Sequence, residues 1–168
     1  MIIAIDPGKY LCGVALLSNE GEVYAACVSK PSLDPGLSSG RRWVLLADEV
    51  LCFVKSNFHH LPPGDTVTLI VEDMQVYAQD GASKADNLLD LQAVGGCVIG
   101  YLSANLDVGR IVTVRPREWK GQVPRDVTTN RMLAKFADHP GVRWPKDKKT
   151  QGDVAAALAL GLYCVRGR

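Results

Sequence analysis

Paired cysteines, histidines and long apolar runs are scarce in this sequence, and their scarcity argues against three kinds of protein. The five cysteines are widely spaced with no Cys-x-x-Cys motif, and there are three histidines, so neither a zinc site nor a disulfide scaffold is expected. No apolar stretch approaches the roughly 20 residues that span a membrane. We expect a cytoplasmic protein with no signal peptide, whose cysteines are small buried hydrophobic residues.

Repeats, low-complexity tracts and interdomain linkers are also absent, and 168 residues suit one domain covering residues 1–168. Three consecutive strands followed by alternating helices and strands indicate an α/β fold, with a mixed five-stranded sheet covered by helices on both faces. The hydrophobic pattern predicts strands at 1–6, 11–18, 22–29, 66–72 and 110–114, and helices at 40–58, 88–105, 128–136 and from Gly152 onward.

Acidic residues stand at the ends of two predicted central strands. The apolar run Ile2 to Ile5 leads into Asp6, before a Pro-Gly turn, and the β-branched run Thr66 to Val71 leads into Glu72. Turn chemistry alone explains many strands that end in Asp-Pro-Gly. A carboxylate fixed at the end of a rigid strand is also suited to holding a metal ion.

A third acid, Asp153, begins an alanine-rich helix and lies on its apolar face with positions 156, 157, 160 and 164. The segment Thr150 to Asp153 also fits a capping-box-like helix start, which is an alternative structural explanation. Burying several unpaired charges is costly, and a divalent metal would offset that cost. Oxygen ligands without a nearby histidine favour Mg²⁺ or Mn²⁺.

The net charge of +1 is divided unevenly along the chain. Residues 1–109 carry six basic and 13 acidic side chains, giving −7, whereas residues 110–149 carry 11 basic and four acidic ones, giving +7. A basic segment is often only a solvated surface. Here it directly precedes Asp153, and cations beside an acidic metal site suit the binding and cleavage of a phosphodiester backbone.

Taken together, these motifs resemble the RuvC-like Holliday junction resolvases of the ribonuclease H-like superfamily, most closely their phage-encoded members. The order and spacing of the motifs carry the resemblance more than any single one. They are Ile5-Asp6-Pro7-Gly8 with Gly13, Val71-Glu72 followed by Gln75-Val-Tyr77, Leu91-Gln-Ala-Val-Gly-Gly96, Val114-Arg-Pro-Arg-Glu-Trp-Lys-Gly121, and Asp153 at the start of an alanine-rich helix.

The resemblance implies a ribonuclease H-like fold and a homodimeric endonuclease that cuts four-way or branched DNA with two Mg²⁺ ions per site, Mn²⁺ being a possible substitute. Asp6, Glu72 and Asp153 would be metal ligands and catalytic residues, and Lys120 a catalytic phosphate contact or an ordinary surface lysine. The helix from Leu88 to Asn105 is the expected dimer interface. The candidate nucleic-acid contacts are Tyr77, Lys84, Arg115, Arg117, Lys120, Arg125, Lys146, Lys148 and Lys149.

Two departures from the family pattern keep alternatives open. The family usually has an Asp or His one turn before the last Asp, where this chain has Thr150, so Asp147 is a possible fourth ligand. The aromatic Tyr77 lies five residues after Glu72 instead of three. A RuvX-like RNA-processing nuclease and a catalytically inactive nucleic-acid-binding module of the same fold therefore remain as alternatives.

Overall fold

The computed structural model describes residues 1–32, 36–57, 66–73 and 82–167, and within the last of these ranges it describes side chains from residue 88 onward. Two predicted nucleic-acid contacts fall outside this description. Tyr77 lies between the described ranges, and Lys84 lies in a helical turn whose side chains are not described. The roles suggested for both residues stay predictions.

A mixed five-stranded sheet forms the centre of the fold, as predicted. Its spatial order is β3-β2-β1-β4-β5. The first three strands are antiparallel, and β4 runs parallel to both β1 and β5. The strands are β1 (Ile2–Pro7), β2 (Cys12–Leu17), β3 (Val23–Ser29), β4 (Val67–Glu72) and β5 (Val108–Val114).

The central strands β1, β2 and β4 are buried at every residue, which explains why their sequences show no polar alternation. The outer strand β3 is also protected at one point. There the Ala26 N–H donates to the Gly141 carbonyl oxygen at 2.9 Å, and the Arg143 N–H donates to the Ala26 carbonyl oxygen at 2.8 Å. This short parallel bridge covers part of an edge that would otherwise be open.

Helices cover both faces of the sheet and divide the core in two. On one face lie α1 and α2, packed around Ile3, Ile5 and Leu69. On the other lies α5, packed around Ala4, Ala15 and Ile70, with α4 against its outer side. The helices are α1 (Ser39–Ser56), α2 (Ala82–Asn105), α3 (Pro116–Trp119), α4 (Arg125–Phe136) and α5 (Lys148–Arg166).

The predicted boundaries fail mainly where helix ends are polar. Helix α5 begins at Lys148, not Gly152, and its N-cap is Asp147, so the capping-box interpretation of Thr150 is wrong. The first turn of α5 is polar, so hydrophobic periodicity does not indicate where this helix begins. For the same reason α2 begins at Ala82, ahead of the predicted residue 88. The four-residue helix α3, with Pro116 at its first position, is too short for periodicity to reveal.

The cysteines are only partly as predicted. Cys12, Cys27 and Cys164 are buried and Cys97 is half-buried, but Cys52 is exposed, because it lies on the outer side of α1 while Leu51 and Val54 face the core. Burial raises the pKa of the Cys12 thiol to about 12, so this thiol is inert at neutral pH. None of the described helices is long and apolar enough to cross a membrane.

Candidate active site

Asp6 and Glu72 lie side by side at one edge of the sheet. Strands β1 and β4 are neighbouring and parallel, and Ile5 pairs with Val71. Asp6 directly follows Ile5 and Glu72 directly follows Val71, so the two acids lie at the same level of the sheet. Their side chains point to the α5 side, because Ala4 and Ile70, two residues earlier on each strand, belong to that half of the core. Asp6 is 8% exposed and Glu72 is 4% exposed.

Asp153 is brought to the same place by a close contact between α5 and β2. Gly13 pairs with Asp6 across the β1–β2 ladder. A Cβ atom at Gly13 would overlap the main-chain carbonyl of Asp153. Glycine therefore lets the first turns of α5 lie directly on the sheet, and this contact places the Asp153 carboxylate near Asp6.

The three carboxylates interact electrostatically, and the effect is largest at Asp6. Burial raises the pKa of Asp6 well above its usual value, and repulsion from Glu72 and then Asp153 raises it further. The pKa values of Glu72 and Asp153 are also raised, in each case chiefly by burial. Three acids from three separate elements thus share a poorly solvated space, which positive charge would stabilise.

Lys120 and Trp119 contact Glu72 directly. The Lys120 ammonium lies 3.8 Å from Glu72 Oε1, and Trp119 Nε1 donates a hydrogen bond to Glu72 Oε2 at 3.0 Å. Both interactions lower the pKa of Glu72 against the effect of burial. The helix α3 holds the two residues, since Trp119 is its last residue and Lys120 is its C-cap. The structure therefore puts Lys120 at the acids, where the sequence predicted it.

Arg125, the first residue of α4, forms an ion pair with Asp153 through Nη2 and Oδ1. A Cβ atom at Gly152 would meet the Arg125 side chain, so this second glycine leaves room for the guanidinium. The sequence predicted Arg125 only as a nucleic-acid contact. Its pairing with Asp153 went unrecognised because the two residues are 28 positions apart and share no local pattern.

The ligand chemistry of Asp6, Glu72 and Asp153 suits a hard divalent cation, because all the available donor atoms are carboxylate oxygens. Among the residues that the structure describes, however, no three His, Cys, Asp or Glu side chains already form a group that would hold an ion. Two of the acids are engaged by cationic side chains instead. Lys120 and Arg125 thus supply positive charge to oxygen ligands of the kind that bind Mg²⁺.

Asp147 and Thr150 are bonded to each other at the start of α5. The Asp147 carboxylate oxygen Oδ2 accepts hydrogen bonds from the Thr150 N–H at 3.0 Å and from its hydroxyl at 2.5 Å. These two bonds hold the pKa of Asp147 below its usual value. One Asp147 oxygen thus caps the helix, and the suggestion that this residue is a fourth metal ligand stays a prediction.

The other predicted basic contacts in the described part of the chain lie on the surface, and Arg115 and Lys149 are the ones placed near the acids. Arg115 follows Val114, which pairs with Glu72, and so lies at the same sheet edge. All members of this basic surface are exposed: Arg115, Arg117, Lys146, Lys148 and Lys149. The tryptophans interleaved with them, Trp119 and Trp144, are half-buried and pack against the α5 side of the core. They therefore contribute to packing as well as lying next to the basic surface.

Solved structures of low sequence identity share this fold. T. thermophilus RuvC in complex with a Holliday junction substrate superposes with a TM-score of 0.64 at 19% identity, covering 99% of this chain and 94% of that chain. The yeast mitochondrial Holliday junction resolvase Ydc2 gives 0.62 at 12% identity, covering 98% and 77%. No protein-family description and no curated protein sequence matches the chain. The likeness confirms the predicted RuvC-like, ribonuclease H-like fold.

The Gly13 contact predicts a specific sensitivity to an added methyl group. We expect Gly13→Ala to destabilise the protein by about 1–3 kcal/mol, because α5 must move away from β2, as measured by urea denaturation. The matched control is Gly40→Ala, in α1, where no atom of the described part of the chain lies within 4 Å of the added Cβ and no loss of stability is expected. A Gly13→Ala protein as stable as the Gly40→Ala protein would contradict the close contact.

Replacing Asp6 by Asn should raise the thermal stability of the metal-free protein at pH 7. The folded pKa of Asp6 is raised, so its ionised form opposes folding at neutral pH. The stability gain should shrink as pH falls through the raised pKa of folded Asp6, because the wild-type carboxyl then becomes neutral in the folded protein. Below about pH 4 the carboxyl is also protonated in the unfolded chain, and the gain should vanish. Melting curves in EDTA measure this.

The control for that experiment is Asp147→Asn, since the pKa of Asp147 is lowered and its ionised form favours folding. This variant should gain no stability at pH 7. If the Asp6→Asn protein had a lower melting temperature than the wild type at pH 7, the ionised Asp6 carboxylate would not be destabilising the folded protein.

Proposed function

We propose that this protein is a metal-dependent, structure-selective endonuclease that resolves four-way or branched DNA junctions by paired symmetric nicks. The observation that carries the proposal is the cluster of three carboxylates, from β1, β4 and α5, on a fold shared with proteins described as a Holliday junction resolvase and as RuvC bound to junction DNA. Acids at this position of the sheet, with cations around them, are suited to phosphodiester hydrolysis.

Asp6, Glu72 and Asp153 would hold the metal, with Mg²⁺ as the expected ion, Mn²⁺ as a substitute and Asp147 as a fourth candidate ligand. Two divalent ions held there would supply the charge that activates water, neutralises the phosphate and stabilises the leaving oxygen. The chain supplies the rigid strand ends that fix Asp6 and Glu72, and the glycine contact that fixes Asp153.

Lys120 and Arg125 would contact the scissile phosphate. Each already stands at one of the acids, and a long cationic side chain can turn from a carboxylate to a phosphate oxygen over a short distance. The basic surface defined above would hold the strands on either side of the site, mainly through backbone phosphates. Tyr77 and Lys84 complete the proposed contacts at the centre of the junction.

A homodimer would supply the two active sites that symmetric cutting requires, because a four-way junction has two-fold symmetry. Helix α2 offers an open face for this purpose. Leu89 is 65% exposed, and among the described residues no atom beyond the helix itself lies within 4 Å of a Cβ placed at Gly96 or Gly100. Leu89, Gly96 and Gly100 share one side of the helix, so a second copy of α2 can approach closely there.

A binding module without catalytic activity is the second candidate, and Thr150 is the observation that favours it. Because the residue one turn before Asp153 is a threonine, this position offers neither a carboxylate nor an imidazole. Its hydroxyl is also hydrogen-bonded to Asp147. Nicking of a junction by the wild-type protein in Mg²⁺, abolished by EDTA, separates the two candidates. Cleavage of structured RNA in preference to branched DNA would support the RuvX-like alternative, and the opposite preference would exclude it.

Neutralising any one of the acids should abolish cleavage without abolishing binding. We expect Asp6→Asn, Glu72→Gln and Asp153→Asn each to lose at least 100-fold in Mg²⁺-dependent nicking of an end-labelled four-way junction, as for removal of a group that holds the catalytic charge. Junction affinity in EDTA should persist, because the phosphate contacts lie elsewhere. Near-wild-type turnover in any of the three would remove that residue from the proposed site.

A charge placed on the open face of α2 should uncouple the two cuts. Gly96→Glu should give a monomer by light scattering that still nicks junctions but seldom produces paired, symmetric products on denaturing gels. Ala134→Glu is the control, because it adds the same charge to an exposed residue of α4. A wild-type protein that is monomeric at assay concentration and still makes symmetric paired cuts would contradict the dimer.

A further inference from the structure

An exposed aromatic ring stands between two cations at the turn that joins β1 to β2. Tyr10 is 49% exposed. The Arg42 guanidinium carbon lies 5.2 Å from the centre of its ring, and the Lys9 ammonium lies 5.8 Å from it. Lys9 is held by an ion pair with Asp90 of α2 at 2.5 Å. The turn is thus fixed to α2 through Lys9 and to α1 through Arg42, with the tyrosine ring at its tip.

Arg42 has hydrogen-bonding capacity that the described residues do not use. Its Nη2 donates to the Ser39 hydroxyl at 3.0 Å, while its Nε is buried without a hydrogen-bond partner. Arg42 also lies in the first turn of α1, which contains no acidic residue. A cation at this end of a helix opposes the helix dipole, and a buried donor without an acceptor is destabilising. An anion bound to the outer guanidinium nitrogens would offset the first of these costs.

Basic residues collect around this turn although the surrounding sequence is acidic. Of the six basic residues in positions 1–109, three lie at or beside it: Lys9, Lys30 and Arg42. Lys30 belongs to this group because the preceding Ser29 pairs with Cys12, the first residue after the turn. These three residues with Tyr10 are called the turn cluster below. Their positive charge is separate from the basic surface of residues 115–149.

The turn cluster lies at the same edge of the sheet as Asp6, but towards the opposite face. Pro7 pairs with Cys12, so the turn directly follows the strand end that carries Asp6. Asp6 points to the α5 side, whereas Arg42 and Asp90 reach the turn from α1 and α2, which cover the other side. The acids and the turn cluster are therefore close along the chain but on different sides of the sheet.

We propose that the turn cluster is a second DNA-binding site, in which Arg42 contacts a backbone phosphate and Tyr10 stacks on an unpaired base beside the cleavage site. The proposal rests on the proposed function, since a junction centre supplies both unstacked bases and a strand crossing the acids. Arginine suits phosphate through its planar donors. An exposed tyrosine ring suits an unpaired base, with a stacking contribution that is independent of sequence.

The test measures binding of a fluorescent four-way junction by anisotropy in EDTA at several salt concentrations, with 2-aminopurine placed at the branch point to report stacking. We expect Tyr10→Ala to weaken junction binding about tenfold and to abolish the fluorescence change, whereas Tyr10→Phe keeps both. Arg42→Gln should reduce the slope of log affinity against log salt by about one, and Arg42→Lys should restore it.

Matched controls are Tyr163→Ala, which removes an exposed tyrosine from α5, and Lys55→Gln, which removes a cation from the last turn of α1. Both should behave as wild type. Wild-type binding by Tyr10→Ala and Arg42→Gln would overturn the inference while leaving the nuclease proposal intact, provided that the wild type nicks in Mg²⁺. If Tyr10→Ala lost as much affinity for a fully paired linear duplex as for the junction, the stacking role would be overturned.

Discussion

Burial of the three carboxylates Asp6, Glu72 and Asp153 is the constraint on which the rest of the site depends. Burial opposes ionisation of all three acids, and repulsion from Glu72 and Asp153 adds to it at Asp6, so positive charge nearby stabilises the site. The chain supplies this charge with Lys120 at Glu72 and Arg125 at Asp153. Both cations come from the segments between β5 and α5, which are held in place by packing against the α5 side of the core and by the bridge to β3.

The sheet edge and its acids could be predicted because the evidence for them is local. Continuous apolar runs indicate central strands, and Asp6 and Glu72 directly follow such runs. The partnership of Asp153 with Arg125 could not be predicted, because it joins two helices across 28 positions. The start of α5 at Lys148 was equally hidden, since its first turn is polar and the cap depends on one carboxylate, that of Asp147.

Charge counting along the sequence was informative in one place and misleading in another. The excess of basic residues in positions 110–149 corresponds to an exposed surface, part of which lies near the acids. The acidic average of positions 1–109 concealed the turn cluster, because Lys9, Lys30 and Arg42 are distant in sequence and meet only through the β2–β3 ladder and α1. Net charge over a long segment therefore says little about local potential once a sheet brings its ends together.

The contribution of α5 to both the core and the site has a consequence for when activity can arise. This helix covers one face of the sheet and carries Asp153, while Arg125 and Lys120 come from the segments just before it. A growing chain that has reached only β5 possesses two of the acids, an uncovered apolar sheet face and neither cation. The second half of the core and the cluster of three acids therefore become complete together, and only once α5 is in place.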